Sequence, residues 1–368
     1  MNIVCDKTLL SAAIDGVSKA VTMRSSIPVL EGILLKAEGF QLTLTGYDLE
    51  MGIVTTIEAN IKEPGEIVLN AKLLSSMISR MPAGQISIVA ADNGKTTIQS
   101  GVAQFEIQSM PATDFPDLPN TGAEQTLTIK TGVLRDMIDR TLYAVSQDEK
   151  KPAHTGELFE IELDKLTIVA LDGYRLAIVE RPITAVKDIR IIVPSKTMTE
   201  VSHLLANDDE EDVHISANRR YVVFTTAGYT IMSRLIEGEF LNYHNVIPSG
   251  SRTRVTLDTK EFIDTIERAS LIITERLKNP LRISFTEGKV VVRCQTNLGR
   301  VVDEFSAACE GDEVEIGFNN RYLLDALRNA RTEQVRMEIS GPLSPVKVLP
   351  VEGNDFLYLV LPVRFKND

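Results

Sequence analysis

With 368 residues, 43% of them apolar, the chain is long enough for two or three well-cored domains. No apolar run reaches the about 18 residues that span a bilayer, MNIVCDKTLL lacks the order of a secretory signal, and Cys5, Cys294 and Cys309 suit neither a disulfide framework nor a zinc site, so a cytoplasmic protein is expected. The formal net charge of -12 disfavours nucleic acid as a partner only if the basic residues are spread evenly.

They are not. The chain opens with a helical pattern, TLLSAAIDGVSKAV (8–21), followed by SSIPVLEGILL around Pro28 and the alternating strand pattern FQLTLTG. A second helical pattern follows in VLNAKLLSSMISRM (68–81). At 100° per residue Leu73, Leu74, Met77, Ile78 and Met81 share one side, while Lys72, Ser75, Ser76, Ser79 and Arg80 share the other. Asn70 is placed to cap it. Between Ile67 and Ala91 no acidic residue occurs. An acidic protein thus keeps one cationic helix face free of carboxylates.

The pattern then returns. TGVLRDMIDRTLYAV (131–145) and TKEFIDTIERASLII (259–273) stand before Pro152 and Pro280 as the first helix stands before Pro28, and Ile14, Ile138 and Ile266 fall in register. The strand patterns KLTIVAL and KVVVRCQ come after them. VLNAKLL recurs as IVPSKTM (192–198) and FNNRYLL (318–324), aligning Lys72 with Lys196 and Arg321, and Ser79 with His203 and Arg328. The position between is Ser76, Glu200 or Asp325, so the later copies are less purely cationic. DLPNTGAEQT (117–126) and VIPSGSRTR (246–254) read as linkers. The expected architecture is α+β: three repeated domains at 1–121, 126–249 and 252–368, each made of two β-α-β-β-β halves whose helices cover sheets.

Chemical motifs are few. NGKTT (93–97) has Val89 where a phosphate-binding loop needs glycine, and Asn93-Gly94 reads as a hairpin turn. The acidic run NDDEED (207–212) could hold a divalent cation, although a solvated loop is the simpler reading. His154, His203, His214 and His244 lack metal-ligand spacing, and no nucleophile with its base can be argued from position. No cofactor is implied. A repeated α+β metal enzyme using 207–212 and an interaction scaffold without nucleic acid are the competing readings. LDGYRLA (171–177) sets polar residues into an apolar strand pattern. FLYLVLPVRFKND stays apolar almost to its end, with Pro362 ill-suited to a central strand.

Together with the three copies, FPDLP (115–119), LDGYRLA, LIEGEFLNYHNVIP (235–248) and the terminal LPVR (361–364) closely resemble the bacterial DNA polymerase III beta subunit family, the sliding clamps of replication. The resemblance runs essentially the full length. One departure is Leu241, where the family usually has proline.

The resemblance implies a non-enzymatic processivity factor: a head-to-tail homodimer closing six domains into a ring, helices lining the hole and sheets outside. Its implied partners are encircled duplex DNA, a separate clamp-loader ATPase, and the replicative polymerase and repair proteins through short peptides, with no membrane. Arg24 and Lys72 match DNA-contacting positions, Lys196 is their repeat equivalent, and Lys150 and Lys151 substitute in the loop 146–151. Phe105 and Ile107 would meet Leu271 and Ile272 across the dimer contact. A peptide pocket would take Leu171, Gly173, Tyr174, Arg175 and Leu176 from one strand, and Leu241, Asn245 and Val246 from the EFLNYHNV segment. Leu343, Pro345, Leu359, Leu361, Pro362, Val363 and Arg364 would complete its wall. Gly173 would permit close backbone approach, while Arg175 and Arg364 would hold the peptide's polar groups.

Overall fold

The structure, a computed structural model, describes residues 1–122, 124–162, 164–184, 188–205, 209–226, 228–274 and 279–365. Asn207 and Asp208 of the acidic run, and the last three residues of the chain, lie outside the described residues. The strand Asn2–Asp6 leads into helix α1 (Lys7–Val17), and the strands Gly32–Glu38, Gln41–Tyr47 and Met51–Glu58 follow. The strand Gly65–Asn70, helix α2 (Ala71–Arg80) and three more strands repeat that order. Four further rounds are built on α3 (Thr131–Thr141), α4 (Ser195–Leu204), α5 (Thr259–Ser270) and α6 (Asn320–Ala330). The β-α-β-β-β half expected from the sequence is present six times.

The helices begin where side chains can satisfy their first amides. Asp6 accepts from Thr8 and Leu9, Asn70 from Leu73, Asp258 from Glu261 and Asn319 from Arg321. Each helix then buries one face: Ile14, Ile138 and Ile266 are at most 1% exposed. Lys7, at the start of α1, donates to the Met81 carbonyl at 2.5 Å and so caps the C-terminal end of α2. One expectation for α2 fails. Leu73 is exposed, because the buried stripe runs Ala71, Leu74, Met77, Ile78 and Met81 and leaves the third helical position outside it.

Sheets do not respect the linkers. Residues Met1–Val133 with Thr199–Leu235 form one compact unit, and Leu134–Met198 with Ile236–Asp368 form a second. In the first unit a nine-stranded antiparallel sheet joins Met51–Glu58 to Tyr229–Arg234, with Ile53 opposite Ile231. In the second, a nine-stranded sheet joins Arg175–Pro182 to Phe356–Val360, with Leu176 opposite Leu359. Each unit also holds an incomplete sheet. One has five strands and ends on Ala103–Gln108; the other has four and ends on Gly299–Ser306.

Two sequence puzzles resolve here. The final strand stops at Val360, so Pro362 sits beyond it and disturbs no ladder. Asn93-Gly94 closes a hairpin with Gly94 at φ +80°, and the Asn93 side chain accepts from the Lys95 amide.

Candidate functional site

The second unit carries the residues singled out for a peptide pocket. The joined strands Arg175–Pro182 and Phe356–Val360 supply Leu176 and Leu359, and the neighbouring strand Lys165–Leu171 supplies Leu171, to a floor in which each is buried and packed with Phe240 and Tyr243 from the segment before the second linker. Around it stand side chains that an isolated core would hide: Tyr174, Leu241, Val246, Leu343 and Val363 are all more than a third exposed. Asn245 is exposed too, while Pro345, Leu361 and Pro362 are half-buried. Backbone pairing fixes the arrangement. The Leu361 amide donates to the Tyr174 carbonyl, and the Val363 amide to the Gly317 carbonyl. Such a group of exposed aliphatics beside a buried floor suits a partner's apolar side chain.

Gly173 adopts φ +90°, and a Cβ there would meet nothing within 4 Å. The turn needs a left-handed residue, and the space beside it is open on the side of this chain. One pocket role is corrected, that of Arg175. Arg175 is only 9% exposed and its donors are engaged inward. Its Nε donates to Asp172 at 3.0 Å and its Nη1 to Asp325 at 2.5 Å, while its guanidinium lies between the rings of Tyr143 (5.3 Å) and Tyr322 (4.8 Å). It locks the pocket's strand to α6 and does not reach out to a ligand. Burial holds the Tyr143 phenol well above its ordinary range, so the ring beside Arg175 stays neutral. Arg364 is exposed.

Phe240, Tyr243 and His154 were missed in the sequence. Phe240 and Tyr243 lie within EFLNYHNV, where their three-residue spacing could have marked an inward-facing pair. His154 meets Phe240 edge-on at 5.6 Å, and burial, then Lys151, holds its imidazole below the usual histidine range.

The expected basic positions are on the surface. Lys72, Lys196 and Arg321 are each the second residue of their helix, and all three are exposed. Arg24 is exposed on the segment before Pro28, and Lys150 and Lys151 on a turn organised by Asp148. The acidic departures are turned to internal partners: Asp325 to Arg175, and Glu200 to Lys19 at 3.9 Å. Arg328 is paired with Glu267 at 2.6 Å. Of the six helices, α2 alone has no carboxylate.

Phe105 and Ile107 lie on Ala103–Gln108, the open edge of the five-stranded sheet, and Phe105 is 41% exposed. Leu271, just past α5, is 83% exposed, and Ile272 is half-buried. These side chains are not ordinary core. Of the acidic run, Asp209 and Glu210 are exposed, and Lys130 binds the Asp212 carboxylate at 2.8 Å. Among the described residues no group of three ligating side chains could hold a metal, and no helix is long and apolar enough to cross a membrane.

Sequence profiles of the DNA polymerase III beta subunit match throughout: its N-terminal domain at residues 1–119, its central domain at 128–242 and its C-terminal domain at 244–364. The chain belongs to the DNA polymerase III beta subunit family. Relatives named beta sliding clamp include that of Bacillus subtilis, 30% identical over 99% of this chain and all of its own length. The beta sliding clamp of Synechocystis sp. is 32% identical over the whole of both chains. Among solved structures, a DNA polymerase sliding clamp from Bacillus subtilis superposes with a TM-score of 0.96 at 29% identity, covering all of both chains. A sliding clamp from Pseudomonas aeruginosa bound to griselimycin gives 0.94 at 30% identity, covering 99% of this chain and all of that one. The three profiles correspond to the three rounds of paired β-α-β-β-β halves, and the metal-enzyme reading finds no support among these relatives.

Proposed function

We propose that the chain is a sliding clamp: two copies close head to tail around duplex DNA and tether a replicative polymerase for processive synthesis. It is a processivity factor and not an enzyme. The carrying observation is the pair of incomplete sheets. The other two sheets have nine strands each, whereas one five-stranded and one four-stranded sheet end on the open strands Ala103–Gln108 and Gly299–Ser306. An open edge is a template for another chain. Joining the five-stranded edge of one copy to the four-stranded edge of another makes a third nine-stranded sheet, and a heterologous contact of that kind closes when the rotation permits. Phe105, Ile107, Leu271 and Ile272 would seal it.

In such a ring the helices face the hole, where DNA presents dense negative charge. Arg24, Lys72, Lys150, Lys151 and Lys196 are the residues we assign to phosphate contacts, which position the duplex without reading its sequence. The acidic excess is left to the outer sheets and loops, so the net charge and the function are compatible. Client proteins, including repair proteins, would dock short peptides on the Leu171, Leu176 and Leu359 floor. The chain carries no phosphate-binding loop, so opening falls to a separate ATP-driven loader. A cytoplasmic location and domains at 1–121, 126–249 and 252–368 complete the reading.

The test is mass in solution with polymerase stimulation. A species of twice 40.7 kDa that lengthens products from a primed circular template supports the reading. A stable monomer without effect on product length would oppose it.

A further inference from the structure

The first linker covers a cavity of about 470 Å³ lined by Leu34, Thr45, Glu66, Phe115, Asp117 and Leu118, among others. The repeat tells what such a cavity holds. In the first unit Leu34 pairs with Thr45 and Val68, and Lys36 with Thr43 and Glu66. In the second unit Leu158 pairs with Val169 and Ile192, and Glu160 with Thr167 and Arg190. The rows correspond one to one. Phe115 and Phe240 are buried anchors just before the two linkers, and three residues on from each stand Leu118 and Tyr243.

Their paths differ. Tyr243 is 2% exposed, lies on the same face of the sheet as Leu158, and donates its hydroxyl to Glu160 at 2.6 Å. Leu118 turns away. It sits over Gly52, its Cδ2 2.6 Å from where a Cβ would stand, in the place that Leu176 takes up with its own side chain in the other unit. Glycine at 52 and leucine at 118 therefore leave empty, in the first unit, the space that a phenol ring fills in the second. A carboxylate still closes the far end, from the other side of the row: Glu66 stands at the place of Arg190, opposite Lys36 at the place of Glu160, and among the described residues no donor is hydrogen-bonded to it.

We infer that this cavity is a docking site for a tyrosine side chain from a partner protein, its ring on Leu34 and Thr45 and its hydroxyl donating to Glu66. The site lies on the first linker and shares no residue with the pocket at Leu176 and Leu359. The apolar wall gains from burying the ring, and the Glu66 carboxylate, exposed in the free chain, discriminates tyrosine from phenylalanine because a docked ring takes water from it and only a hydroxyl gives a hydrogen bond back.

The test uses the full chain and the blocked tripeptides Ac-Ala-Tyr-Ala-NH2 and Ac-Ala-Phe-Ala-NH2, followed through the methyl resonances of Leu34 and Leu118. The tyrosine peptide should shift both saturably and bind about tenfold more tightly than the phenylalanine peptide. Leu118→Tyr, which supplies the ring internally, should abolish the shift at Leu34, the reporter that this variant retains. Glu66→Gln, an exposed and conservative change, should bring the two peptides to within about twofold of each other. Leu361→Ala should leave binding intact. Equal affinities for the two peptides in the unaltered chain, a Leu34 shift that persists in a folded Leu118→Tyr protein, or no shifts at all would overturn the assignment.

Discussion

The guanidinium of Arg175 and the carboxylate of Asp325, 150 positions apart in the chain, are joined by a 2.5 Å hydrogen bond that ties the pocket's strand to helix α6. With Asp172 and the flanking rings of Tyr143 and Tyr322, the pair is mostly withdrawn from water. Removing one partner leaves the other charge uncompensated, at a cost of about 3 kcal/mol. Asp325→Ala should therefore lower the thermal midpoint, and Arg175→Lys should fail to restore the wild-type value, because lysine lacks the planar fork. Unaltered melting of Asp325→Ala would contradict this assignment.

Glu157 is a carboxyl where the repeats have Ile33 and Leu281, both fully buried. Burial pushes its pKa up to about 8, with Asp139 adding to the rise and the Thr141 hydrogen bond opposing it. As a neutral acid it can donate to the Thr141 hydroxyl at 2.6 Å, while that hydroxyl donates to the Met137 carbonyl. The folded chain then holds a proton that the unfolded chain releases above the ordinary carboxylate range. Stability from this residue is complete at low pH and declines as pH rises from the unfolded pKa towards about 8. Urea unfolding at pH 5 and pH 8 should show a smaller decline for Glu157→Gln than for wild type. Equal declines would remove Glu157 as the cause.

Ring closure is assigned in the proposal to side chains that the single chain leaves wholly or partly in water. Leu271→Ala with Ile272→Ala should yield a folded monomer, because truncating the centre of a small apolar contact can remove about 2 kcal/mol or more of association. Sedimentation with circular dichroism reads both properties. An unshifted dimer would refute the contact, and an unfolded chain would return the two residues to the core.

Peptide capture should depend on the aliphatic wall. A short client peptide should bind wild type at about micromolar strength, since a flexible segment must be ordered on docking. Leu361→Ala should weaken it about tenfold or more by calorimetry while the dimer persists. This substitution is cleaner than removing residues 364–368. That deletion also removes Phe365, whose ring lies 4.1 Å from the Arg282 guanidinium and packs on Gly317. Wild-type affinity in Leu361→Ala would move the pocket elsewhere.

Much of this was legible because repetition multiplies a weak signal. One lysine on one helix means little, but Lys72, Lys196 and Arg321 at one helical position, with Ile14, Ile138 and Ile266 buried at another, define the halves. Sheet membership was not legible. The linkers mark where the chain crosses between copies, yet Ile53 pairs with Ile231 and Leu176 with Leu359, choices set by edges that only the folded copies present. The part played by Arg175 was hidden for the same reason: its partners Tyr143 and Asp325 are distant in sequence, so an arginine beside a pocket read as a ligand donor. Leu73 was misjudged because a helical wheel allots sides evenly, whereas α2 buries a narrower stripe.

The central claim is topological, and one measurement addresses it directly. The protein is loaded by a clamp loader onto nicked circular duplex, isolated by gel filtration, and the DNA is then cut once. Retention on the circle and loss within minutes of linearisation is the expected result, with Arg24→Glu, Lys72→Glu and Lys196→Glu combined loading poorly while remaining dimeric. Salt should disturb the loaded circle little, because a closed ring is held by linkage rather than by its phosphate contacts. Equal retention on circular and linear DNA, lost in step with rising salt, would mean ordinary surface binding and would contradict the account.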